Sequence, residues 1–91
     1  MSVKNQSRDL LSSKNASITN PRLIVIGLLL QQERPLTIEQ LLKLSKRKLA
    51  QSTLYRVIND LKNFGLITEF TNPENTLVVE LNTEDINHHH H

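Results

Sequence analysis

The stretch Ser52–Gly65, STLYRVINDLKNFG, has the clearest periodicity in the chain and decides the fold. Apolar residues recur there at steps of three and four, which is typical of the buried face of an α-helix. That face consists of Leu54, Val57, Ile58, Leu61 and Phe64. The opposite face consists of Ser52, Tyr55, Arg56 and Asn59. The stretch therefore predicts an amphipathic helix that begins at Gln51 or Ser52, with Gly65 as its left-handed cap.

Two helices with good start signals are predicted before this stretch. Thr19 or Asn20 can cap the first of them, which is apolar on most sides and runs to about Gln32. Thr37 can cap the second, and Gln40 follows at the spacing of a capping box. Because the joint from this helix to the next is short, the pair suits a helix-turn-helix.

The pattern changes to that of β-strands beyond the glycine at position 65. Residues 66–70 and 76–81 are rich in β-branched side chains, and residues 71–75 between them are turn formers. These segments predict a β-hairpin. Helices followed by a two-stranded hairpin make a mainly α fold of the winged helix-turn-helix type, with three or four helices. The alternative is a helical bundle that carries an incidental hairpin.

The chain is short enough for one domain with one modest core, because it has 91 residues. We expect a winged-helix domain at residues 19–82, after an N-terminal segment at 1–18 that holds a short helix capped by Ser7. Residues 83–91 form a tail. His88 to His91 resemble a purification tag and are excluded from the chemistry. Thr83 to Asn87 resemble a natural end, which favours a stand-alone winged helix; the alternative is a piece of a longer protein.

The charge distribution indicates a polyanionic partner more clearly than the net charge of +2 does. Five cations and no carboxylates lie between positions 40 and 59, whereas every charged residue after position 65 is acidic. The five cations are Lys43, Lys46, Arg47, Lys48 and Arg56. Such asymmetry suits a nucleic acid on one side of the molecule. A solvated basic face is the alternative, and the charge pattern alone does not separate the two.

Several function classes are disfavoured by composition. The chain has no cysteine, and its only histidines are the four at the end. We therefore expect no enzyme activity, no metal site, no cofactor and no small-molecule substrate. The longest apolar run, residues 23–30, is far shorter than the ~20 residues of a membrane span. The lack of disulfides in so small a domain suggests a cytoplasmic protein.

The outer face of the helix 52–64 carries side chains that suit DNA. Arg56 can pair with guanine at two points, Asn59 can pair with adenine, and the ring of Tyr55 can lie against a thymine methyl group. Ser52 and Thr53, at the helix start, can bind phosphate. The alternatives are a Tyr55 that packs on the domain edge and an Arg56 that is solvated or paired with the aspartate four residues on.

These segments resemble the DNA-binding half of ferric uptake regulator proteins over roughly residues 19–81. The resemblance is carried by Thr19-Asn20-Pro21-Arg22, by Leu36-Thr37-Ile38-Glu39-Gln40-Leu41, by Ser52-Thr53-Leu54-Tyr55-Arg56-Val57-Ile58-Asn59-Asp60-Leu61 and by Phe64-Gly65-Leu66-Ile67. It implies that Tyr55 and Arg56 contact DNA. In that family a second domain dimerises and binds metal, and this chain stops where that domain would begin. The resemblance thus implies a DNA-reading module without metal sensing.

The resulting prediction is a small transcriptional regulator that binds double-stranded DNA. Arg22, Lys46, Arg47 and Lys48 are expected to neutralise phosphates, and four such contacts imply a log–log salt slope of about −3.6. Tight binding by so small a module favours a homodimer, for which Leu10 and Leu11 are the expected contacts. The alternative function is a winged-helix module that binds another protein.

Overall fold

The structure, a computed structural model, describes residues 2–82. The predicted tail and its histidines lie outside them. The elements in chain order are α1 (Val3–Ser13), α2 (Asn20–Gln32), β1 (Leu36–Thr37), α3 (Ile38–Leu44), α4 (Gln51–Asn63), β2 (Ile67–Thr71) and β3 (Leu77–Leu81). The fold is mainly α with a small antiparallel wing, so the prediction of a winged helix-turn-helix is confirmed. No helix of residues 2–82 has the length and apolar character needed to cross a membrane.

The wing is a three-stranded sheet with the strand order β1-β3-β2. The predicted hairpin forms its larger part, and its register pairs Ile67 with Leu81 and Thr71 with Leu77. The short strand β1 was not predicted, because two residues show no alternation. Leu36 and Thr37 pair with Val79 and Val78 of β3. This pairing ties the start of α3 to the wing, since Thr37 is also the N-cap of α3.

One hydrophobic core joins all four helices of residues 2–82 to the wing. The apolar face predicted for α4 lies in it, with Leu54 and Leu61 fully buried and Phe64 partly buried. The fully buried members from other elements include Leu11 of α1, Val25 and Ile26 of α2, Leu41 of α3, and Val79 of β3. Burial of these side chains supplies the main stabilising term and fixes which face of α4 points outward.

The predicted caps of α2 and α3 are present. Thr19 Oγ1 accepts a hydrogen bond from the Arg22 backbone N–H at 3.4 Å. Thr37 Oγ1 accepts from the Gln40 N–H at 3.1 Å, and Gln40 Oε1 accepts from the Thr37 N–H at 2.9 Å. This reciprocal pair is the capping box expected from sequence. Each cap fixes the point at which its helix begins.

Two predictions for the N-terminal helix are wrong. The helix begins at Val3 with Ser2 as its cap, whereas Ser7 lies inside it, fully buried, and donates its hydroxyl to the Val3 carbonyl at 2.8 Å. Leu11 is fully buried within the protomer, so it cannot form its part of the expected dimer contact, whereas Leu10 is half-buried and its part stays a prediction. The sequence misled because the polar residues before Ser7 concealed the first turn of α1, which packs against α2.

Candidate nucleic-acid interface

The outer face of α4 is open to solvent along its length. Ser52, Tyr55, Arg56 and Asn59 are all exposed, and Tyr55 has 46% of its surface accessible. Thr53 is half-buried. The helix has 13 residues and is thus about 20 Å long, which matches the reach of a helix lying in one groove of DNA. The structure therefore brings four of the predicted site residues together on one face.

Arg56 is free of the intrahelical ion pair that would have explained it without DNA. The carboxylate four residues on, Asp60 Oδ2, instead lies 3.2 Å from Arg22 Nη2 of α2. Within residues 2–82, no carboxylate lies within ion-pair distance of the Arg56 guanidinium. An exposed guanidinium without a carboxylate partner keeps all five of its N–H donors for a ligand.

The first turn of α4 leaves its backbone donors available. Ala50 is the N-cap, and its methyl side chain cannot accept a hydrogen bond, in contrast to Thr19 and Thr37 at the starts of α2 and α3. The first turn holds no acidic residue. The free N–H groups of a first turn carry partial positive charge, equivalent to about half an elementary charge, and favour an anion there. Ser52 and Thr53 add their hydroxyl groups at this point.

The turn between α3 and α4 places two cations in an unfavourable backbone conformation. Lys46 and Arg47 have φ angles of 56° and 62°, in the left-handed region. The Lys46 N–H bonds the Lys43 carbonyl at 2.9 Å and the Arg47 N–H bonds the Leu42 carbonyl at 3.3 Å. These are the two bonds of a Schellman motif, whose left-handed position usually holds glycine. Lysine at this position places a charge at the turn at a cost in backbone energy.

The predicted cations of this turn line two different grooves. Lys46 and Lys48 line a groove that α1 also borders through Lys4. Arg47 and Lys43 line a separate cleft, which leads to Gln51 at the start of α4. Lys4, Lys43 and Gln51 were missing from the predicted site. The charge count had already included Lys43, whereas the position of Lys4 depends on the packing of α1 and has no local sequence signal.

Arg22 has partners inside the fold that the sequence did not indicate. Besides its ion pair with Asp60, its Nη1 donates to the Ser17 carbonyl at 2.8 Å. Its guanidinium carbon lies 5.3 Å from the centre of the Phe64 ring, a distance at which a cation–π attraction acts. Only 16% of the Arg22 side chain is exposed. This arrangement favours a structural role for Arg22 over the predicted phosphate contact.

The wing contributes a surface to this face but no cation. Tyr55 borders a shallow groove that is lined also by Ile38, Leu42 and Leu77. The loop of the wing is organised by Asn72, whose Oδ1 accepts from the N–H groups of Glu74 and Thr76 at 3.0 and 2.9 Å. The Asn72 amide oxygen is therefore used inside the loop, where it holds the turn between β2 and β3.

The fold and this face together define a winged helix-turn-helix protein. Its α4 is the second helix of the helix-turn-helix and exposes Arg56 on a polar outer face. A family model described as the ferric uptake regulator family matches residues 13–91. The chain belongs to the ferric uptake regulator family. Members of that family are transcriptional regulators and not enzymes, so the predictions of the family and of a non-enzymatic protein are confirmed.

Solved structures agree with this assignment. The ferric uptake regulator of Vibrio cholerae, described for a structural rearrangement of its DNA-binding domains, is 27% identical with a TM-score of 0.72. The match covers 92% of this chain and 63% of that one. The regulator of Pseudomonas aeruginosa with manganese is 22% identical over 82% of this chain and 59% of that one, with a TM-score of 0.70. Comparison with curated protein sequences gives no match.

A relative from a second family supports the fold alone. The ArsR family transcriptional regulator RHA00566 is 19% identical with a TM-score of 0.60, over 94% of this chain and 81% of that one. The chain spans about three fifths of the two ferric uptake regulators, since the matches cover 63% and 59% of their lengths. Within residues 2–82, no three His, Cys, Asp or Glu side chains come together as metal ligands would. These residues therefore do not fit the metal that the family name implies.

Proposed function

We propose that this chain is a transcriptional regulator that binds double-stranded DNA by placing α4 in the major groove, without sensing a metal through residues 2–82. The observation that carries the proposal is the exposed outer face of α4, where Arg56 has no carboxylate partner within the described residues. Family membership supports a DNA-binding regulator. The V. cholerae relative supports DNA binding in general, because its structure is described in terms of DNA-binding domains.

Base reading is assigned to three side chains of α4. Arg56 donates two parallel N–H bonds to the O6 and N7 atoms of a guanine, which is the commonest specific contact in the major groove. Tyr55, directly before it, lays its ring against a thymine methyl group. Asn59, three residues beyond Arg56, pairs with adenine through its amide. All three side chains are exposed, so they reach the base edges without a change in the fold.

Phosphate binding is assigned to the start of α4 and to the turn before it. The uncapped N–H groups and the hydroxyls of Ser52 and Thr53 receive one phosphate. Lys46, Arg47 and Lys48 are all exposed and neutralise the flanking ones. With Arg22 held inside the fold, three cationic phosphate contacts remain, and the expected log–log salt slope is about −2.7 per domain, not −3.6.

A single module of this size buries limited DNA surface, of the order of 600–1,000 Å². We therefore propose that tight binding uses two copies on paired half-sites, whose centres are about 34 Å apart if they lie one helical turn apart. The contact between the copies is not Leu11, because that side chain is fully buried. The spacing of protected sequences in a footprint measures the proposed pairing directly.

The test begins with selection of duplexes from a random pool by the parent protein, followed by fluorescence anisotropy at several salt concentrations. Arg56→Ala is expected to weaken the selected site by ~1–3 kcal/mol and to relax the preference at one base pair. Arg34→Ala is the matched control, because it removes an exposed arginine that lies with Glu80 and Leu81, away from the outer face of α4. Equal binding by the parent and Arg56→Ala would refute the assignment of α4.

Protein binding is the second candidate, and one observation favours it. Tyr55 borders a shallow groove whose apolar lining residues are Ile38, Leu42 and Leu77, and an exposed aromatic side chain beside such residues is typical of an interaction anchor. The same titrations separate the two functions. A protein-binding module would show no sequence preference among duplexes, and Tyr55→Ala would leave its weak, salt-dependent DNA binding unchanged.

A further inference from the structure

We infer that Arg22 is a positioning residue for DNA reading: by holding Asp60, it keeps the Arg56 guanidinium free for a base. The inference rests on the proposed function, and it assigns to Arg22 a role that acts through two other side chains. It does not require that Arg22 touch DNA. Two features carry it, the contacts of Arg22 and the spacing of Asp60 and Arg56 on α4.

The contacts of Arg22 fix its guanidinium on three sides. Nη2 lies 3.2 Å from Asp60 Oδ2, Nη1 donates to the Ser17 carbonyl at 2.8 Å, and the group lies over the Phe64 ring at 5.3 Å. Such a planar group, held by a carboxylate, a carbonyl and a ring, has little freedom to swing toward a phosphate. A lysine could not reproduce the arrangement, because it lacks the fork of donors and stacks less well.

The position of Asp60 makes it a competitor for Arg56. The two residues are four apart on α4, so their Cβ atoms are neighbours on the helix surface. Among the residues three or four positions from Asp60 on either side, which are Arg56, Val57, Asn63 and Phe64, only Arg56 is a cation. Asp60 without Arg22 would therefore draw Arg56 along the helix and away from the groove.

Arg22→Met isolates this effect, since methionine keeps an unbranched apolar stem against Phe64 and removes the charge. In the parent background we expect it to weaken the selected duplex about 1.5- to twofold, which is what capture of Arg56 in an exposed i, i+4 pair is worth. The salt slope should stay at its parent value, because no phosphate contact has been lost. Adding Asp60→Asn to Arg22→Met should restore the parent affinity.

Combining Arg22→Met with Arg56→Ala distinguishes a positioning role of Arg22 from a purely structural one. If Arg22 acts through Arg56, then Arg22→Met has no further effect on affinity when Arg56 is already alanine. If Arg22 only stabilises the fold, the same substitution weakens binding in both backgrounds and Asp60→Asn does not restore it. The folded fraction of every variant is measured by circular dichroism at the assay temperature, so that a loss of folded protein is not mistaken for a loss of contact.

Lys62→Met is the matched control. It removes the cation of the other ion pair of α4, with Glu69 of β2, and frees a carboxylate that does not neighbour Arg56 on the helix. We expect the sequence preference to stay unchanged. A salt slope that falls by about 0.9 in Arg22→Met would overturn the inference, because it shows a direct phosphate contact. A parent protein that selects no duplex refutes the proposed function, and a parent that loses nothing in Arg22→Met refutes only this inference.

Discussion

Replacement of Lys46 by glycine is predicted to raise the stability of the fold and, if the proposed function is right, to weaken DNA binding. Its φ angle of 56° lies in the left-handed region, and its N–H closes the Schellman motif at the end of α3. In the same position after α4 the chain has Gly65, with a φ of 79° and the same pair of backbone bonds. Lys46→Gly therefore gives α3 the ending that α4 already has, while it removes one exposed cation.

The expected gain in stability is the difference between two backbone terms. A side chain in the left-handed conformation costs about 1–2 kcal/mol, which glycine avoids. Glycine loses about 0.4–1 kcal/mol through the greater freedom of its unfolded chain. The free energy of unfolding should thus rise by about 0.5–1 kcal/mol, equivalent to an increase in Tm of about 3–6 °C for a domain of this size.

The expected effect on DNA binding has the other sign. If Lys46 neutralises one phosphate, its removal changes the log–log salt slope by about 0.9, from about −2.7 to about −1.8. The affinity for every duplex falls, and the sequence preference stays unchanged because no base contact is lost. Lys48→Ala is the matched control, since Lys48 is exposed, has a negative φ and carries no backbone strain to relieve.

Urea unfolding followed by circular dichroism measures the first effect, and anisotropy titrations across a salt series measure the second. Lys48→Ala should reproduce the change in slope and leave the free energy of unfolding within about 0.5 kcal/mol of the parent. A Lys46→Gly protein that is less stable than the parent would refute the argument from backbone strain. An unchanged slope in both variants would refute the assignment of this turn to phosphate.

Three further substitutions test the fold that positions α4. Leu54→Ala should lower the free energy of unfolding by about 2–5 kcal/mol in urea titrations, because the side chain is fully buried on the core face of α4. Tyr55→Ala, at the neighbouring exposed position, should change the free energy of unfolding far less. Thr37→Ala removes the cap of α3 and should lower the free energy of unfolding by about 1 kcal/mol in the same titrations. Thr37→Ser keeps a hydroxyl that can accept the bond and should lose little of that stability. Equal stabilities of the parent and Thr37→Ala would show that the capping box does not act in solution. Gly65→Ala should cost about 0.5–1 kcal/mol in thermal unfolding, and since nothing lies within 4 Å of an added Cβ, a clearly larger loss would contradict a purely backbone cause.

Local sequence rules predicted most of the fold. The steps of three and four on α4, the capping box at Thr37 and the glycine at position 65 each specify a conformation within a few residues, and each is present in the structure. The outer face of α4 was predicted in the same way, since the core face of a helix determines which residues are left outside. Its role toward DNA stays a prediction.

The features that sequence did not predict all depend on contacts between distant segments. Strand β1 exists because Leu36 and Thr37 meet β3, more than forty residues later in the chain. Arg22 and Asp60 are 38 positions apart, and nothing near either residue indicates the ion pair. The full burial of Ser7 and Leu11 follows from the docking of α1 on α2. Pattern reasoning has no access to such pairings, because they are set by tertiary packing.

Three departures from local helix rules lie at the start of α4 and in the turn before it, and a further one, Glu33 with a left-handed φ of 54°, lies at the end of α2. Thr19, Thr37 and Gly65 are the residues that a helix start or end prefers. Ala50 at the start of α4 is a poor cap, and Lys46 and Arg47 occupy left-handed positions that suit glycine. The departures at Ala50, Lys46 and Arg47 cost stability, and they leave unpaired N–H groups at the start of α4 and two exposed cations in the turn before it. Departures of this kind concentrate at functional sites, because only a ligand there can offset their cost. In the proposed complex one phosphate satisfies the N–H groups of the first turn of α4, and the cations of the turn before it neutralise the flanking phosphates, which offsets the cost of leaving these groups unpaired in the free protein.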